Sequence, residues 1–424
     1  MAPPAPLSKV IRSVLASARL LRAGPSVSWF LLRYMGKFRV LESGGRLIVH
    51  SHLPPLNSTA FSRFIDEHVL AESPGPSHAQ IGITDACPQN CGYCYNRGRE
   101  GIVMDTEIIL ALIRELKSMG VFWIGLTGGE PLLNRDIVRI VEAIGADCSA
   151  KLFTTGSNLT ERLGADLKRA GLTYVSVSLD HWDETTHDRI RGHRGAFRTA
   201  LRALEIFRKV GGMHVSVSTV LSGDMLRTGQ VEELLSFLRR LEVDEAWLSE
   251  AKPSTRECWK KEMVITEPER QDLIRLQDRW NKRAGLTVNY LGHFEDRRHF
   301  GCTAGHKMVF IDPFGEVSPC VFIPMTFGNV RESSLRTLYS GMRSRLPVQD
   351  HCFMNANYMH FQENPGEKLP LGREDSLSIL NKVRFGPPPR FFRLAYRRSG
   401  MQNMREGGDV TQVLQDGGSK CTDT

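Results

Sequence analysis

Between residues 77 and 250, strand-length apolar runs and helix-length amphipathic runs take turns, and no other feature restricts the fold as much. The strand pattern appears at 81–83, 121–126, 151–155, 174–179, 214–220 and 245–249. Helical periodicity fills the intervals at 106–118, 135–144, 160–170, 196–210 and 230–241. About six β/α units of regular length predict a parallel sheet covered by helices, with the active site at the carboxyl ends of the strands. With 424 residues, of which 41% are hydrophobic, there is room for two or three domains and a sizeable core. No apolar run is long enough to span a bilayer. Nine cysteines are too sparse for a disulfide scaffold. Their clustering instead points to metal binding in a reducing, cytoplasmic compartment.

Every chemical motif falls at a predicted strand end. Cys87, Cys91 and Cys94 form a C-x₃-C-x₂-C run directly after the first strand. Three thiolates can hold three irons of a cubic iron–sulfur cluster and leave the fourth iron open to a chelating small molecule. A structural zinc site normally closes with four ligands, and no fourth Cys or His falls nearby. The second strand runs into Thr127-Gly128-Gly129-Glu130-Pro131. Its two glycines permit close backbone approach to a ligand, and Glu130 offers an acceptor for a cationic amine. The third strand closes on Thr154-Thr155-Gly156-Ser157-Asn158 and the fourth on Ser178-Leu179-Asp180. Hydroxyls and a carboxylate at these ends suit a ribose or a sulfonium-bearing chain. Helix capping by Asn158 or Asp180 is an equal reading.

The cysteine run with Tyr93 in its aromatic place, followed by Gly-Gly-Glu-Pro, resembles the signature of the radical S-adenosylmethionine (SAM) superfamily. The resemblance covers about residues 77–250 and implies a partial (β/α)6 TIM-like barrel. It implies that Cys87, Cys91 and Cys94 carry a [4Fe–4S] cluster whose open iron is chelated by SAM. Gly128, Gly129, Glu130 and Pro131 would then form the methionine-binding strand end, and Ser178 and Asp180 would contact SAM from the fourth strand. Residues 183–192 resemble the segment that follows this strand in peptide-modifying members, which makes His187 and Arg191 further candidates. Reductive cleavage of SAM to a 5′-deoxyadenosyl radical would need a reductant such as flavodoxin or ferredoxin.

Beyond Pro253 the alternation stops. A long helix is expected over 268–284, a strand over 287–290, and a strand–turn–strand over 309–323. Cys302, Gly315 and Cys320 resemble the C-x₉₋₁₅-G-x₄-C run of the SPASM/twitch branch, which implies an auxiliary cluster held by Cys302, Cys320 and Cys352. The later cysteines of the full SPASM pattern are absent, so a second auxiliary cluster is not expected. The residues alone also permit ordinary buried thiols. Cys148 and Cys258 read as structural, and Cys421 as incidental.

The expected organisation is an amino-terminal extension (1–76), a radical SAM core (77–253), a linker helix with a small α+β twitch domain (254–362), and a basic aromatic segment with a disordered tail (363–424). Within the extension, residues 7–21 show helical apolar spacing with Lys9, Arg12 and Arg19 on other faces. This reads as a membrane-surface helix, a helix docked on the body, or a transit peptide. It is not a secretory signal, because no apolar core precedes a small-residue cleavage site. A hairpin is expected around 38–50 and a helix over 58–70. Basic stretches at both chain ends favour a shared anionic surface, and no nucleic acid is expected.

Three functions remain open at this level. The first is oxidation or modification of a small-molecule or lipid-like substrate, helped by the auxiliary cluster. The second is maturation of a ribosomal peptide, although residues 1–76 are short and wrongly patterned for a winged-helix leader-binding domain. The third is a non-catalytic iron–sulfur scaffold or nucleic-acid-binding protein, and an intact Gly-Gly-Glu-Pro speaks against it.

Overall fold

In the computed structural model, residues 22–283 and 285–396 are described, so the expected helix over 7–21 and the tail from 397 lie outside the described residues. Among the described residues, strands β3 (His78–Gly82), β4 (Trp123–Thr127), β5 (Ser149–Thr154), β6 (Tyr174–Ser178), β7 (His214–Leu221), β8 (Glu245–Glu250) and β9 (Thr287–Tyr290) follow one another in space as they do in sequence. Each pairs parallel to the next. The helices Thr106–Ser118, Ile137–Ile144, Glu161–Arg169, Ala196–Val210 and Gln230–Arg240 return the chain between them, as the alternation predicts. This is a partial TIM-like barrel, and β9 extends it beyond the six expected units.

The hairpin of β10 (Met308–Ile311) and β11 (Val317–Ser318) docks β10 parallel to β3 on the opposite edge. The sheet therefore has nine strands in the order β11-β10-β3-β4-β5-β6-β7-β8-β9. The pairing of β11 stops at Ser318, well short of the expected 323, so Cys320 sits in the turn beyond it. Residues 363–376, expected to be loop, contain the start of a helix, Arg373–Leu380. A polar helix, Glu184–Arg191, forms where no hydrophobic period marks one.

Alternation along each strand separates two environments. Ile124, Leu126, Leu152, Val175, Val177, Val215, Val217 and Leu248 belong to the core shared with the helices. The alternate positions face inward and are largely polar: Gln80, Lys151, Ser176, Ser216, Glu245 and Asn289. A TIM-type barrel is usually filled by branched apolar side chains. Here the amino-terminal end is closed by the extension instead. Short strands β1 (Leu41–Ser43) and β2 (Arg46–Ile48) pair antiparallel as the expected hairpin, and residues 50–53 enter the barrel. Ser51 N–H and Oγ both donate to Glu245, each at 2.8 Å. Lys151 Nζ donates to Ser51 Oγ at 2.7 Å, Trp123 Nε1 to the Ser51 carbonyl at 2.9 Å, and Tyr174 OH to the Leu53 carbonyl at 2.6 Å. Glu245 also accepts from Asn289 at 2.9 Å and lies 2.8 Å from His214 Nε2. Buried polar groups need such partners, because each unpaired one costs about 1–3 kcal/mol.

Candidate active site

At the other end of the barrel a cavity of about 380 Å³ opens among the strand carboxyl termini. Its wall includes the expected site residues Cys87, Cys91, Tyr93, Cys94, Gly128, Gly129 and Ser178, and the further candidates Thr154, Thr155 and Arg191. The cysteine loop is held there by backbone contacts. Gly129 N–H donates to the Thr84 carbonyl and Glu130 N–H to the Ala86 carbonyl, both at 2.7 Å. A Cβ on Gly128 would stand 2.3 Å from the Thr84 oxygen, and one on Gly129 would stand 2.2 Å from the Ala86 oxygen. Gly128 also has φ of +121°, which L side chains rarely adopt. The two glycines therefore let the β4 end press against the segment leading into Cys87. From the sequence, only close approach of a ligand is expected of them.

Glu130, Pro131 and Asp180 do not line the cavity. Glu130 is fully buried, and its carboxylate accepts from Thr154 Oγ1 at 2.6 Å, Leu132 N–H at 3.0 Å, and the N–H and Oγ1 of Thr155, each at 2.5 Å. It ties the ends of β4 and β5 together. Burial still pushes its pKa up despite these bonds. Asp180 is likewise engaged by the protein. Its Oδ1 accepts from Val220 N–H at 2.9 Å, its Oδ2 accepts from Tyr93 OH at 2.5 Å, and Arg191 Nε is ion-paired to it at 2.9 Å. The Arg191 guanidinium lies 3.9 Å from Cys91 Sγ, and Asn90 N–H donates to the Arg191 carbonyl at 2.9 Å. Thus Asp180 and Arg191 lock the aromatic residue and the middle cysteine of the motif to the β6 end. His187 is buried behind them and accepts from Asp180 N–H at 3.2 Å. Asn158 sits at φ +66° with its amide on the Leu132 carbonyl at 3.1 Å.

Other residues of the cavity wall belong to no sequence motif: Phe153, Ser218, Trp247, Lys252 and Phe322. Parity along the strands marks Phe153, Ser218 and Trp247 as inward-facing, a signal that was present but unused. Lys252 carried no local signal. Its ammonium is buried, 3.0 Å from Glu250 and 3.3 Å from Glu295. Burial alone would lower its pKa, but the charges of Cys352, Glu250 and Glu295 carry it above the ordinary lysine value. Its ammonium therefore stands at the cavity wall paired with two carboxylates.

Cys302, Cys320 and Cys352 converge from separate segments. Cys302 exchanges backbone hydrogen bonds with Gln349 at 2.8 and 3.1 Å, which brings Cys352 alongside. Gly305 N–H donates to the Pro319 carbonyl at 3.0 Å, which brings in the Cys320 turn, and Val321 and Phe322 of that turn reach the cavity. Burial raises all three thiol pKa values, that of Cys320 to about 12, and the charge of Cys352 adds to the rise at the other two. Among the described residues, no three His, Cys, Asp or Glu groups close on a single metal ion. The chemistry of both donor sets suits an iron–sulfur cluster: each is three thiols from the same region, and the first opens on a cavity with room for a ligand. Cys148 is buried in the main core, and Cys258 lies 3.7 Å from the Gly92 carbonyl behind the motif loop.

Comparison with known proteins agrees with this geometry. Residues 81–238 match the model of the radical SAM superfamily, and residues 302–361 match that of the SPASM iron–sulfur cluster-binding domain. The chain is 27% identical to the AdoMet-dependent heme synthase of Methanosarcina barkeri over 294 residues, which is 64% of this chain and 84% of that protein. It is 25% identical to the PqqA peptide cyclase of Gluconobacter oxydans over 272 residues, 61% of this chain and 75% of the cyclase. The structure of Streptococcus suis SuiB bound to S-adenosylmethionine shares the fold at 18% identity, with a TM-score of 0.54 over 74% of this chain and 79% of SuiB. The cofactors of the present chain are [4Fe–4S] clusters and S-adenosylmethionine. With three cysteines on a loop at the mouth of a partial barrel and three more converging beside its edge hairpin, the chain belongs to the radical SAM superfamily, in its SPASM/twitch branch, and is an enzyme.

Proposed function

We propose that the enzyme abstracts a hydrogen atom from a small organic molecule held in the cavity above Phe153 and Trp247. The observation that carries this reading is the fate of the amino-terminal extension. Residues 50–53 are committed to the barrel floor through Glu245, Lys151, Trp123 and Tyr174, so they are not free to clamp a leader peptide. Apolar depth with a few convergent polar groups is the usual composition of a small-molecule site.

When bound, the cluster and SAM supply one-electron cleavage of SAM to methionine and a 5′-deoxyadenosyl radical, the electron coming from a flavodoxin- or ferredoxin-like reductant. In this reading Cys87, Cys91 and Cys94 hold the catalytic cluster, and Arg191 and Asp180 keep the motif loop in register. Ser178 offers its hydroxyl toward the nucleoside, while those of Thr154 and Thr155 are taken by Glu130. Cys302, Cys320 and Cys352 would hold a second cluster, which would supply a one-electron acceptor for a net two-electron oxidation of the substrate. Lys252 keeps a positive charge between the two sites.

A second reading, modification of a peptide, is favoured by the similarity to PqqA peptide cyclase. One experiment separates them. The reconstituted enzyme, SAM and dithionite are incubated with a perdeuterated cell extract, and deuterium is measured in 5′-deoxyadenosine. Transfer should survive exhaustive proteolysis of the extract and remain in its low-molecular-mass fraction. Transfer abolished by proteolysis would establish the peptide reading instead.

A further inference from the structure

Away from the cavity, on the strand-start side of the barrel, the first and last described helices pack together and build a surface with no role in the chemistry above. The helix Pro25–Met35 buries Val27, Phe30, Leu31 and Tyr34. Its outward face carries Trp29, Leu32 and Arg33, with Trp29 65% and Leu32 40% exposed. These fall at i, i+3 and i+4, so they form one patch. The helix Arg390–Ala395 buries Phe391 and Phe392 and points Arg390 and Arg393 outward. Phe30 and Phe391 join the two helices at 5.7 Å between ring centres. Arg390 N–H donates to the Arg297 carbonyl and Phe391 N–H to that of His299, both at 3.0 Å.

Charge on this surface is one-sided. One cleft, of about 310 Å³, is lined by Arg33, Lys37, Arg275, Arg298 and Arg390. An adjoining cleft of about 650 Å³ shares Arg298 and Arg390 and adds Arg297 and Arg393. The acids of the two clefts are Asp278, paired with Lys37 at 3.6 Å, and Asp350, paired with His351 at 2.5 Å. Arg275 and Arg298 are neutralised by Asp272 and Asp296. Among the described residues, Arg33, Arg297, Arg390 and Arg393 make no ion pair. Four guanidinium forks without counter-charge, beside an exposed tryptophan and leucine, match phosphodiester headgroups with acyl chains beneath them. The segments outside the described residues join the body at this patch. Residues 1–21 lead into the first helix with Lys9, Arg12, Arg19 and no acid, and Arg397 and Arg398 follow Tyr396.

We propose that this surface docks the enzyme on a bilayer containing anionic phospholipid. Because the cavity opens at the other end of the barrel, the contact places the enzyme without feeding it substrate, and the proposal stands or falls independently of the substrate class.

The test uses the full chain with its clusters reconstituted, sedimented with vesicles of phosphatidylcholine alone or with phosphatidylglycerol added. Binding should require phosphatidylglycerol and weaken as salt is raised. The Arg33→Glu, Arg297→Glu, Arg393→Glu variant should bind on the order of 100-fold more weakly. Its visible absorbance and SAM cleavage should be unchanged. As a gentler pair, Arg393→Gln and Trp29→Ser, both at exposed positions, should each weaken binding, with Trp29→Ser removing the salt-resistant part. Equal binding to phosphatidylcholine, no sedimentation of the wild type, or unaltered binding by the charge-reversed variant would overturn the proposal. So would displacement of the vesicles by a single-stranded RNA oligonucleotide at lower concentration than by free phosphatidylglycerol micelles.

Discussion

Replacing Gly129 with alanine tests whether the Gly-Gly strand end acts by positioning the cysteine loop. The added Cβ would stand 2.2 Å from the Ala86 oxygen and 2.5 Å from the Asp85 oxygen, both backbone atoms that cannot swing away. Restoring ordinary contact distance requires the loop and the β4 end to part by about 1 Å, and overpacking of this kind costs about 1–3 kcal/mol. That displacement also breaks Gly129 N–H to Thr84 and Glu130 N–H to Ala86, at about 1 kcal/mol each. The sum, about 3–5 kcal/mol, falls on one loop rather than on the whole fold. It lowers the docked population by about 100- to 4,000-fold relative to the wild type. The assay is iron content and visible absorbance after anaerobic reconstitution, followed by 5′-deoxyadenosine formation under dithionite. Gly129→Ala should lose the iron of the first cluster and SAM cleavage while keeping that of the second. Gly92 supplies the control. It lies inside the cysteine motif, yet a Cβ there meets nothing within 4 Å, so Gly92→Ala should reconstitute like the wild type. Full iron and normal SAM cleavage in Gly129→Ala would refute the reasoning, and so would equal damage from both substitutions.

Three further outcomes follow from the same geometry. Wild-type protein should reconstitute to about eight irons per chain, and the Cys302→Ala, Cys320→Ala variant to about four while still cleaving SAM; four irons in the wild type would make these cysteines structural. Glu245→Ala should lower stability by about 3–5 kcal/mol in urea titrations, because it strips the buried Ser51 N–H, Ser51 hydroxyl and Asn289 amide of their shared acceptor, and Glu245→Gln, which keeps one acceptor oxygen, should recover part of the loss. The third outcome concerns acid. Burial holds His50 and His78 near pKa 4 and His68 near 3, against about 6.5 in the unfolded chain, so below pH 6.5 the unfolded chain takes up protons that the folded rings refuse. Stability is therefore fully present above pH 6.5 and falls as pH drops toward 4, by up to about 3 kcal/mol for each of His50 and His78; an unchanged urea midpoint between pH 7 and pH 5 would contradict this.

Local patterns are what a single sequence states most clearly. The helices Thr106–Ser118 and Ala196–Val210 and the strand Thr287–Tyr290 lie where periodicity places them, because each buries a regular apolar stripe or face. The triple-cysteine run is equally legible, since its chemistry depends on spacing within eight residues. Where the buried face is polar the pattern fails. The helix Glu184–Arg191 was missed because the residues it buries are His187 and Arg191, which no hydrophobic period reveals. The helix Pro25–Met35 follows a glycine and opens with proline, and its apolar face packs in part on Phe300 and Phe391, more than 250 residues away.

Residue type states what a side chain can bond to, and the tertiary structure decides what it does bond to. Glu130 and Asp180 read from sequence as acceptors for a ligand. The fold surrounds both with protein donors from β5, β7 and the motif loop, because a buried carboxylate must have its partners supplied. Gly128 and Gly129 read as room for a ligand, and the fold fills that room with the backbone of residues 84–86. Lys252 carried no signal at all until Glu250, Glu295 and Cys352 were brought around it from three segments. The sequence by itself determined that there is a strand-end cluster loop on a parallel barrel, since sequence-local periodicity and spacing suffice for that. Which of its polar groups face the cavity, and which only hold the walls in place, was decided by contacts between residues tens to hundreds of positions apart, where burial leaves each charge one satisfactory set of partners.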